Sequence, residues 1–268
     1  MLKRWLVLLC LIPIIINATE LMPWPDEDFE FQPRLTGLYQ TYRSIAKSHG
    51  YIHKPSYDRF YTLSVGMSAF DWSGEIETVF ADTPRQRGTC DCVRLTGRYR
   101  WLNDIVDDPV SLTTGITIIQ AFRHSVNDIS SFHHGQIAAE AHIAVGKETS
   151  HLSSWLSHWW GVFGIGMADQ GYPWIRGDAY WEKNWCDQSQ LRLFLHSLWG
   201  LGDRNLHAHS HFRGYGPIAH RSIDIGARYT YNFDLGILSF EYAHRVYAVN
   251  FPAHANLFLL SYLYPFGL

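Results

Sequence analysis

Fourteen charged side chains recur at alternate positions within otherwise apolar segments, and their spacing would let them act together. Residues two apart on an extended backbone point to the same side, so each segment would carry its charges on one face. That face could line a conduit for polar solutes, or its charges could neutralise one another as buried ion pairs. We predict mostly ion pairing, with any pore narrow. The set comprises the acids Glu75, Glu77, Glu140, Asp178, Glu182, Asp224 and Glu241 and the bases Arg94, Arg98, Arg100, Arg176, Arg192, Arg228 and Arg245.

Three histidines form a second group with possible chemistry. His207, His209 and His211 alternate along one short segment, and on an extended backbone their imidazoles would point the same way. Imidazole is a common ligand of divalent transition metals. A divalent metal held by an outer loop is therefore one interpretation, and a solvated loop with surface histidines is the other. The sequence predicts no further cofactor.

Strands must position these side chains, and the segment from Ser222 to Tyr247 shows the pattern best. Polar and apolar residues alternate along it with a period of two, interrupted by a short turn. The register that leaves a two-residue turn places Arg228 opposite Glu241 and Asp224 opposite Arg245. Cross-strand pairs of opposite charge stabilise a hairpin. A slip of one residue would turn charges to the apolar face, so we reject it.

The whole chain contains twelve such segments, which predicts an all-β fold. An even number of antiparallel strands, apolar outside and polar inside, is typical of bacterial outer-membrane β-barrels. The aromatic last segment resembles the C-terminal strand by which those barrels are recognised for assembly. The chain thus resembles this class in general architecture, as a closed up-and-down transmembrane β-barrel. The predicted strands are roughly 34–45, 59–70, 73–81, 89–101, 110–122, 135–146, 155–168, 172–182, 188–199, 221–233, 236–248 and 255–266.

Loop lengths and tryptophans agree with this topology. Twelve strands place both ends of the barrel at the periplasmic face, so the long connections 46–58, 123–134 and 200–220 fall outside. The connections assigned to the periplasmic face are shorter. Tryptophans at that face would form an aromatic girdle, namely Trp72, Trp101, Trp155, Trp159, Trp181 and Trp185.

The N-terminal part divides into two pieces before the barrel. Residues 1–18 have a basic start and an apolar run that ends at a small residue, as in a secretory signal peptide. Residues 19–33 are acidic and rich in proline, and form either a periplasmic tail or a plug in the barrel mouth. The acidic segment would be attracted to the positive charges of Arg94, Arg98 and Arg100 on the fourth strand, which favours a plug. Residues 34–268 form the barrel.

Three cysteines remain after removal of the signal peptide. Cys90 and Cys92 would lie on the same face of one strand, where a disulfide between them would be strained. We predict that neither these two nor Cys186 forms a structural disulfide within the chain.

One short motif resembles a catalytic pattern. Outer-membrane phospholipases and lipid A deacylases carry His-x-Ser on a strand and an Asn or Glu twelve residues later. Here His220 and Ser222 are followed by Asp234 at that spacing, but one continuous predicted strand separates Ser222 from Asp234. At about 3.3 Å per residue they would lie at opposite membrane faces. We assign no catalytic residue.

These patterns together predict an integral barrel of the outer membrane of a Gram-negative-type bacterium, reached by export through the inner membrane. We predict a porin-like transport function, as a narrow channel or uptake barrel for small polar solutes. The expected partners are outer-membrane lipid, the barrel-assembly machinery and such a solute, and no pattern predicts a nucleic-acid partner. Two alternatives stay open: an outer-membrane lipid-modifying hydrolase, and a structural or surface-exposed barrel with a blocked lumen.

Overall fold

The computed structural model describes residues 21–24, 28–47, 50–151, 154–185, 188–206 and 212–267. The predicted signal peptide, residues 1–18, lies outside the described residues. Alternating polarity gives the chain an extended backbone along most of its length, with sharp turns between strands. The barrel strands are β1 (Glu30–Ala46), β2 (Tyr51–Ala69), β3 (Trp72–Asp82), β4 (Arg87–Leu102), β5 (Ser111–Ala121), β6 (Ile137–His151), β7 (Ser154–Ala168), β8 (Trp174–Trp185), β9 (Ser189–Gly200), β10 (Arg221–Phe233), β11 (Gly236–Val249) and β12 (Asn256–Leu263).

The sheet closes on itself, which confirms the predicted barrel. Every strand pairs antiparallel with its neighbours in sequence, and β12 also pairs with β1 along Arg34–Thr41. Two-residue pairings at Pro252–Ala253 and Phe266–Gly267 lengthen the seam with β1. Closure leaves no long sheet edge with unpaired backbone groups.

Among the described residues, helical structure is confined to two short connections. A 3-10 turn spans Asp104–Val106 and a single α-helical turn, α1, spans Arg123–Val126. No helix among the described residues is long and apolar enough to cross a membrane.

The first hairpin is longer than the sequence predicts. β1 begins at Glu30 and includes Pro33, whose carbonyl accepts a hydrogen bond from the Tyr264 amide. β2 begins at Tyr51, so it absorbs most of the loop predicted at 46–58. Proline lacks an amide donor, so its presence predicts a loop. Here the pairing of β1 with β2 overrides that local preference.

The register predicted for β10 and β11 is confirmed. Arg228 pairs with Glu241 and Asp224 pairs with Arg245, and the strands meet at a two-residue turn. Gly236 begins β11 with a φ of 138°, a conformation that L side chains rarely adopt. A side chain there would also approach the Leu263 carbonyl oxygen of β12. Glycine therefore lets the turn pass close to the barrel seam.

The outer wall of the barrel is apolar. Side chains such as Leu63, Ile76, Leu95 and Phe163 are about half exposed there. The tryptophans predicted for the girdle are exposed as well, except Trp155, which is partly buried and stacks on His158. The β6–β7 register shifts by one residue beside Trp155. Such a wall suits a hydrocarbon environment, because the polar side chains lie inside.

The prediction that Cys90 and Cys92 share a face is wrong. The β3–β4 register shifts between them, and Cys92 pairs with the buried Val79 while Cys90 pairs with Phe80 on the outward face. The extra residue of the bulge, Asp91, is buried as well. A bulge reverses the alternation locally. Both thiols are free, and Cys186 lies outside the described residues.

Candidate functional site

Ion pairs form a layer along one side of the barrel lumen. Arg228 Nε lies 2.7 Å from Glu241 Oε2, and both side chains are at least nine-tenths buried. Arg245 makes a bidentate contact with Asp224, at 2.7 and 2.8 Å. Paired guanidinium and carboxylate groups lower the cost of burying each charge. Strands β10 and β11 thus contribute two neutralised pairs to the interior.

The neighbouring strands continue this layer. Arg192 lies 3.0 Å from Glu182. Arg176 donates to Glu140 at 2.5 Å and to Asp178 at 3.2 Å, so one guanidinium bridges two carboxylates. These five side chains come from β6, β8 and β9.

The charges of β3 and β4 are arranged more loosely. Arg94 lies 3.8 Å from Glu77. Arg98 and Glu75 are buried and line one small pocket. Arg100 pairs with Asp71 in the β2–β3 turn, at 3.0 Å. All fourteen predicted charged residues therefore lie inside the barrel or at its rim, but a turn residue outside the set neutralises Arg100.

Residues 21–24, here called the plug, lie inside the barrel at the end where β1 begins and β12 ends. Leu21 is buried against Ala144 and Trp160. The Pro23 carbonyl accepts a hydrogen bond from the Thr113 hydroxyl at 2.7 Å. The plug therefore occupies part of the lumen at this end, here called the terminal end.

A tryptophan fixes the plug to the barrel wall. Trp24 Nε1 donates to Asp104 at 2.8 Å, and its ring stacks on His158 with centroids 4.3 Å apart. His158 stacks on Trp155 on its other face and contacts Glu148 at 2.8 Å. The imidazole is thus held between two indole rings.

The contacts of the plug involve no charged plug residue. The plug touches β5, β6, β7 and β9, and Met22 and Trp24 also line a small pocket with Glu75 and Arg98. The Phe70 backbone amide donates to Asp28 at the rim. Apolar packing and aromatic stacking position residues 21–24. The predicted attraction of the acidic segment to Arg94, Arg98 and Arg100 stays a prediction, because Glu20, Asp26 and Glu27 lie outside the described residues.

The opposite end, here called the loop end, is closed by two long connections. Residues 122–136 and 201–220 fold over the mouth and are here called the cap, of which 207–211 lie outside the described residues. Tyr215 is fully buried at its centre and packs on Phe251, with ring centroids 5.0 Å apart. The ring centroids of Phe132 and Phe251 are 4.6 Å apart. The cap thus shares an apolar core with Tyr42 and Ile45 of β1 and with Phe251.

Polar contacts attach the cap to the strands. His133 Nε2 lies 2.7 Å from Asp91 Oδ2, and Gln86 donates to the other oxygen of Asp91 at 3.2 Å. Tyr42 and Ser130 share a hydrogen bond of 2.9 Å. Asp91, Cys92 and His133 form a group of potential metal ligands among the described residues. Both Asp91 oxygens already accept hydrogen bonds, so the group acts here as an anchor of the cap.

A histidine pair lies within the cap. The Nε2 atoms of His134 and His220 are 3.2 Å apart, and His220 Nδ1 lies 3.0 Å from the Ile218 carbonyl oxygen. A carbonyl only accepts, so Nδ1 of His220 carries the proton and its Nε2 accepts from His134. Burial lowers the pKa of His220 to about 4. Burial, with His220 and His133 nearby, lowers the pKa of His134 well below its usual value.

We therefore expect the cap to loosen in acid. A histidine with a lowered folded-state pKa stabilises the fold above its unfolded pKa of 6.5, and that stability is lost as the pH falls toward 4. For His220 the full effect is about 3 kcal/mol. Hydrogen exchange of residues 212–220, corrected for its intrinsic pH dependence, should speed up between pH 7.5 and 4.5. His220→Asn keeps the donor to Ile218 but does not titrate, so its response should be flatter. If the wild type and His220→Asn responded equally to pH, protonation of His220 would not be what loosens the cap.

Between plug and cap the lumen holds two cavities. The first, of about 230 Å³, reaches from Leu21 of the plug to Phe132 of the cap and is lined by seven charged side chains of β8 to β11. The second, of about 300 Å³, lies against residues 130–135 of the cap; Leu38, Phe60 and Leu257 of β1, β2 and β12 line it, as do Asp91 and Arg94 of β4. Phe132, Leu198 and Arg245 line both cavities, so the two are adjacent.

The remaining sequence candidates are not brought together. His207, His209 and His211 lie outside the described residues. Ser222 is buried and lines the first cavity, whereas Asp234 lies in the turn at the other end of β10. The lipase-like spacing therefore places no acid beside Ser222.

Two buried or cavity-lining residues were missed by the alternation argument. Asp58 is fully buried and bonded to Ser56 and Gln40, but its segment reads as a loop because of Pro55. His196 lines the first cavity between Asp178 and Asp224. The strand parity of β9 would have placed His196 inside, because it lies four residues from Arg192.

Solved structures share this architecture. An outer membrane channel from Pseudomonas putida F1 is similar over 94% of this chain and 100% of its own length, with a TM-score of 0.66 and 10% identity. The chain has the fold of outer-membrane channels. The NanC porin is similar over 87% of this chain and 98% of its own, with a TM-score of 0.56 and 11% identity. No protein-family model and no curated protein matches the sequence. At these identities the likeness concerns the fold.

Proposed function

We propose that this chain is an outer-membrane channel that admits small polar solutes through a lumen closed at rest by plug and cap. The observation that carries the proposal is the first cavity, a charged space of about 230 Å³ in the middle of the barrel. A barrel that served only as a scaffold could fill this space with apolar side chains, since burying charge is costly even when it is paired. A solute path explains why polar groups surround a cavity.

The membrane location is part of the same proposal. The apolar wall, the closed sheet and the shared fold with outer membrane channels support it. Residues 1–18 would direct export through the inner membrane, and the barrel-assembly machinery would insert the strands. In that orientation the terminal end with its plug faces the periplasm, and the cap faces outward.

Conductance of the refolded protein in a planar bilayer tests the channel. We expect small, infrequent current steps from the wild type, because both ends of the lumen are closed. Deleting residues 21–24 should make the steps more frequent, because Leu21 and Trp24 no longer occupy the terminal end. Trp72→Ala removes an exposed outer tryptophan and is the matched control, expected to behave as the wild type. Protein that is folded by heat-modifiable gel migration but gives no steps in either form would refute the channel.

The second candidate is a closed structural barrel. It is favoured by the apolar core beneath the cap, in which Tyr215 and Phe251 are almost completely buried. A structural barrel predicts that loosening either closure leaves ion flux at background. The same recordings therefore decide between the two functions.

A further inference from the structure

One line of paired, inward-facing residues crosses eight strands and changes character halfway. Each member lies opposite the next in the sheet register, from β8 through β12 and on to β1, β2 and β3. The first half is charged and the second half is apolar. In order, the line is Glu182, Arg192, Arg228, Glu241, Leu259, Leu38, Phe60 and Ala81.

The apolar half is unusual for a barrel interior, because inward positions of such barrels are polar. Leu38, Phe60 and Leu259 form a buried cluster, with Leu257 packed against it. Leu38, Phe60 and Leu257 also line the second cavity. A hydrocarbon group placed against these three side chains would have apolar contacts, while the rest of the lining includes polar residues such as Gln40, Arg94 and His133.

The first cavity favours an anion. Four guanidinium groups and three carboxylates line it, and two further carboxylates, Glu140 and Glu182, pair with Arg176 and Arg192 from outside the lining. A guanidinium offers five donors, while a carboxylate only accepts. Both oxygens of Asp224 are already engaged by Arg245. His196 adds a ring whose buried Nε2 makes no hydrogen bond within the described part of the chain. Arg176 Nε, which can only donate, is also buried without a hydrogen bond among the described residues, so this space offers a donor to an anion.

Combining the two cavities, we propose that the lumen binds small amphipathic monoanions. The anionic group would lie among the arginines of the first cavity, and the hydrocarbon part against Leu38, Phe60 and Leu257 of the second. Arg245 and Phe132, which line both cavities, mark the boundary. The inference rests on the proposed function, because it assumes that solutes enter the lumen, and it narrows the solute from polar to amphipathic.

Three probes separate charge from hydrocarbon in an equilibrium binding experiment. Hexanoate has both features, acetate has the charge alone, and hexylammonium has the chain with the opposite charge. Calorimetry on the folded protein in detergent should give hexanoate a Kd at least about tenfold lower than that of acetate, because its additional methylenes are buried against apolar side chains. The Kd of hexanoate should also be at least about tenfold lower than that of hexylammonium, because a carboxylate accepts from guanidinium groups and an ammonium group cannot. Hexylammonium binding as tightly as hexanoate, or acetate doing so, would overturn the proposal.

Variants locate the two subsites. Leu257→Asn should weaken hexanoate about tenfold and leave acetate unchanged, whereas Arg176→Gln should weaken both anions. Thr117→Asn is the control, because Thr117 pairs with Thr96 inside the barrel and lines neither cavity. Heat-modifiable migration checks that each variant is folded. Unchanged hexanoate binding by folded Leu257→Asn protein would overturn the proposed hydrocarbon subsite.

Conductance of the same preparations separates this proposal from the channel itself. Protein that conducts but does not prefer hexanoate refutes the amphipathic site and leaves the channel standing. Protein that prefers hexanoate but never conducts refutes the channel and leaves the binding site standing.

Discussion

Arg228→Glu should destabilise the barrel by about 3–5 kcal/mol, the usual cost of breaking a buried ion pair. The introduced carboxylate would face Glu241 at a position where both native side chains are at least nine-tenths buried. Adding Glu241→Arg restores opposite charges and should recover part of the loss. Recovery is incomplete because position 241 also pairs with the apolar Leu259. Urea unfolding in detergent, followed by heat-modifiable migration, measures both changes.

Arg221→Glu provides the matched control on the same strand. Arg221 is exposed and packs over the Trp199 ring, 5.2 Å from its centroid. Losing an exposed cation–π contact costs about 0.5–1 kcal/mol. If Arg228→Glu cost no more than this control, or if Glu241→Arg gave no recovery, the pair would not stabilise the barrel.

The register of this hairpin could be predicted because two independent patterns constrain it. Period-two polarity decides which face of each strand is buried, and the signs of Arg228, Glu241, Asp224 and Arg245 decide the pairing. Both patterns are local in sequence. The same reasoning placed the fourteen charged residues in or beside the lumen before their partners were known.

The plug and cap could not be predicted in this way. Trp24 lies far from His158 in sequence, and neither segment has a period that indicates a partner. The contacts depend on the shape of the lumen that the strands create. The bulge at Asp91 was missed for a related reason, since one inserted residue leaves the composition of β4 unchanged while reversing its faces.

Plug and cap close the lumen in series, and this arrangement predicts a non-additive response. The resistances of two barriers in series add, so removing one leaves the other in control of the current. Deleting residues 21–24 should therefore raise the mean current modestly. Phe251→Ala should also raise it modestly. Phe251 is buried between Tyr215, Phe132 and Arg245, and truncating a buried phenylalanine costs about 3–5 kcal/mol of local packing.

Combining both changes should raise the mean current by more than the product of the two single effects, because only then is the whole path open. Phe233→Ala, which truncates an exposed phenylalanine on the outer wall, is the control for the cap variant and should combine additively with the deletion. A deletion that alone reaches the current of the double variant would show that the cap does not obstruct ions. If Phe251→Ala alone reached the current of the double variant, the plug would not obstruct ions. In either case only one segment, the plug or the cap, would obstruct the lumen, and conductance would respond to changes in that segment alone.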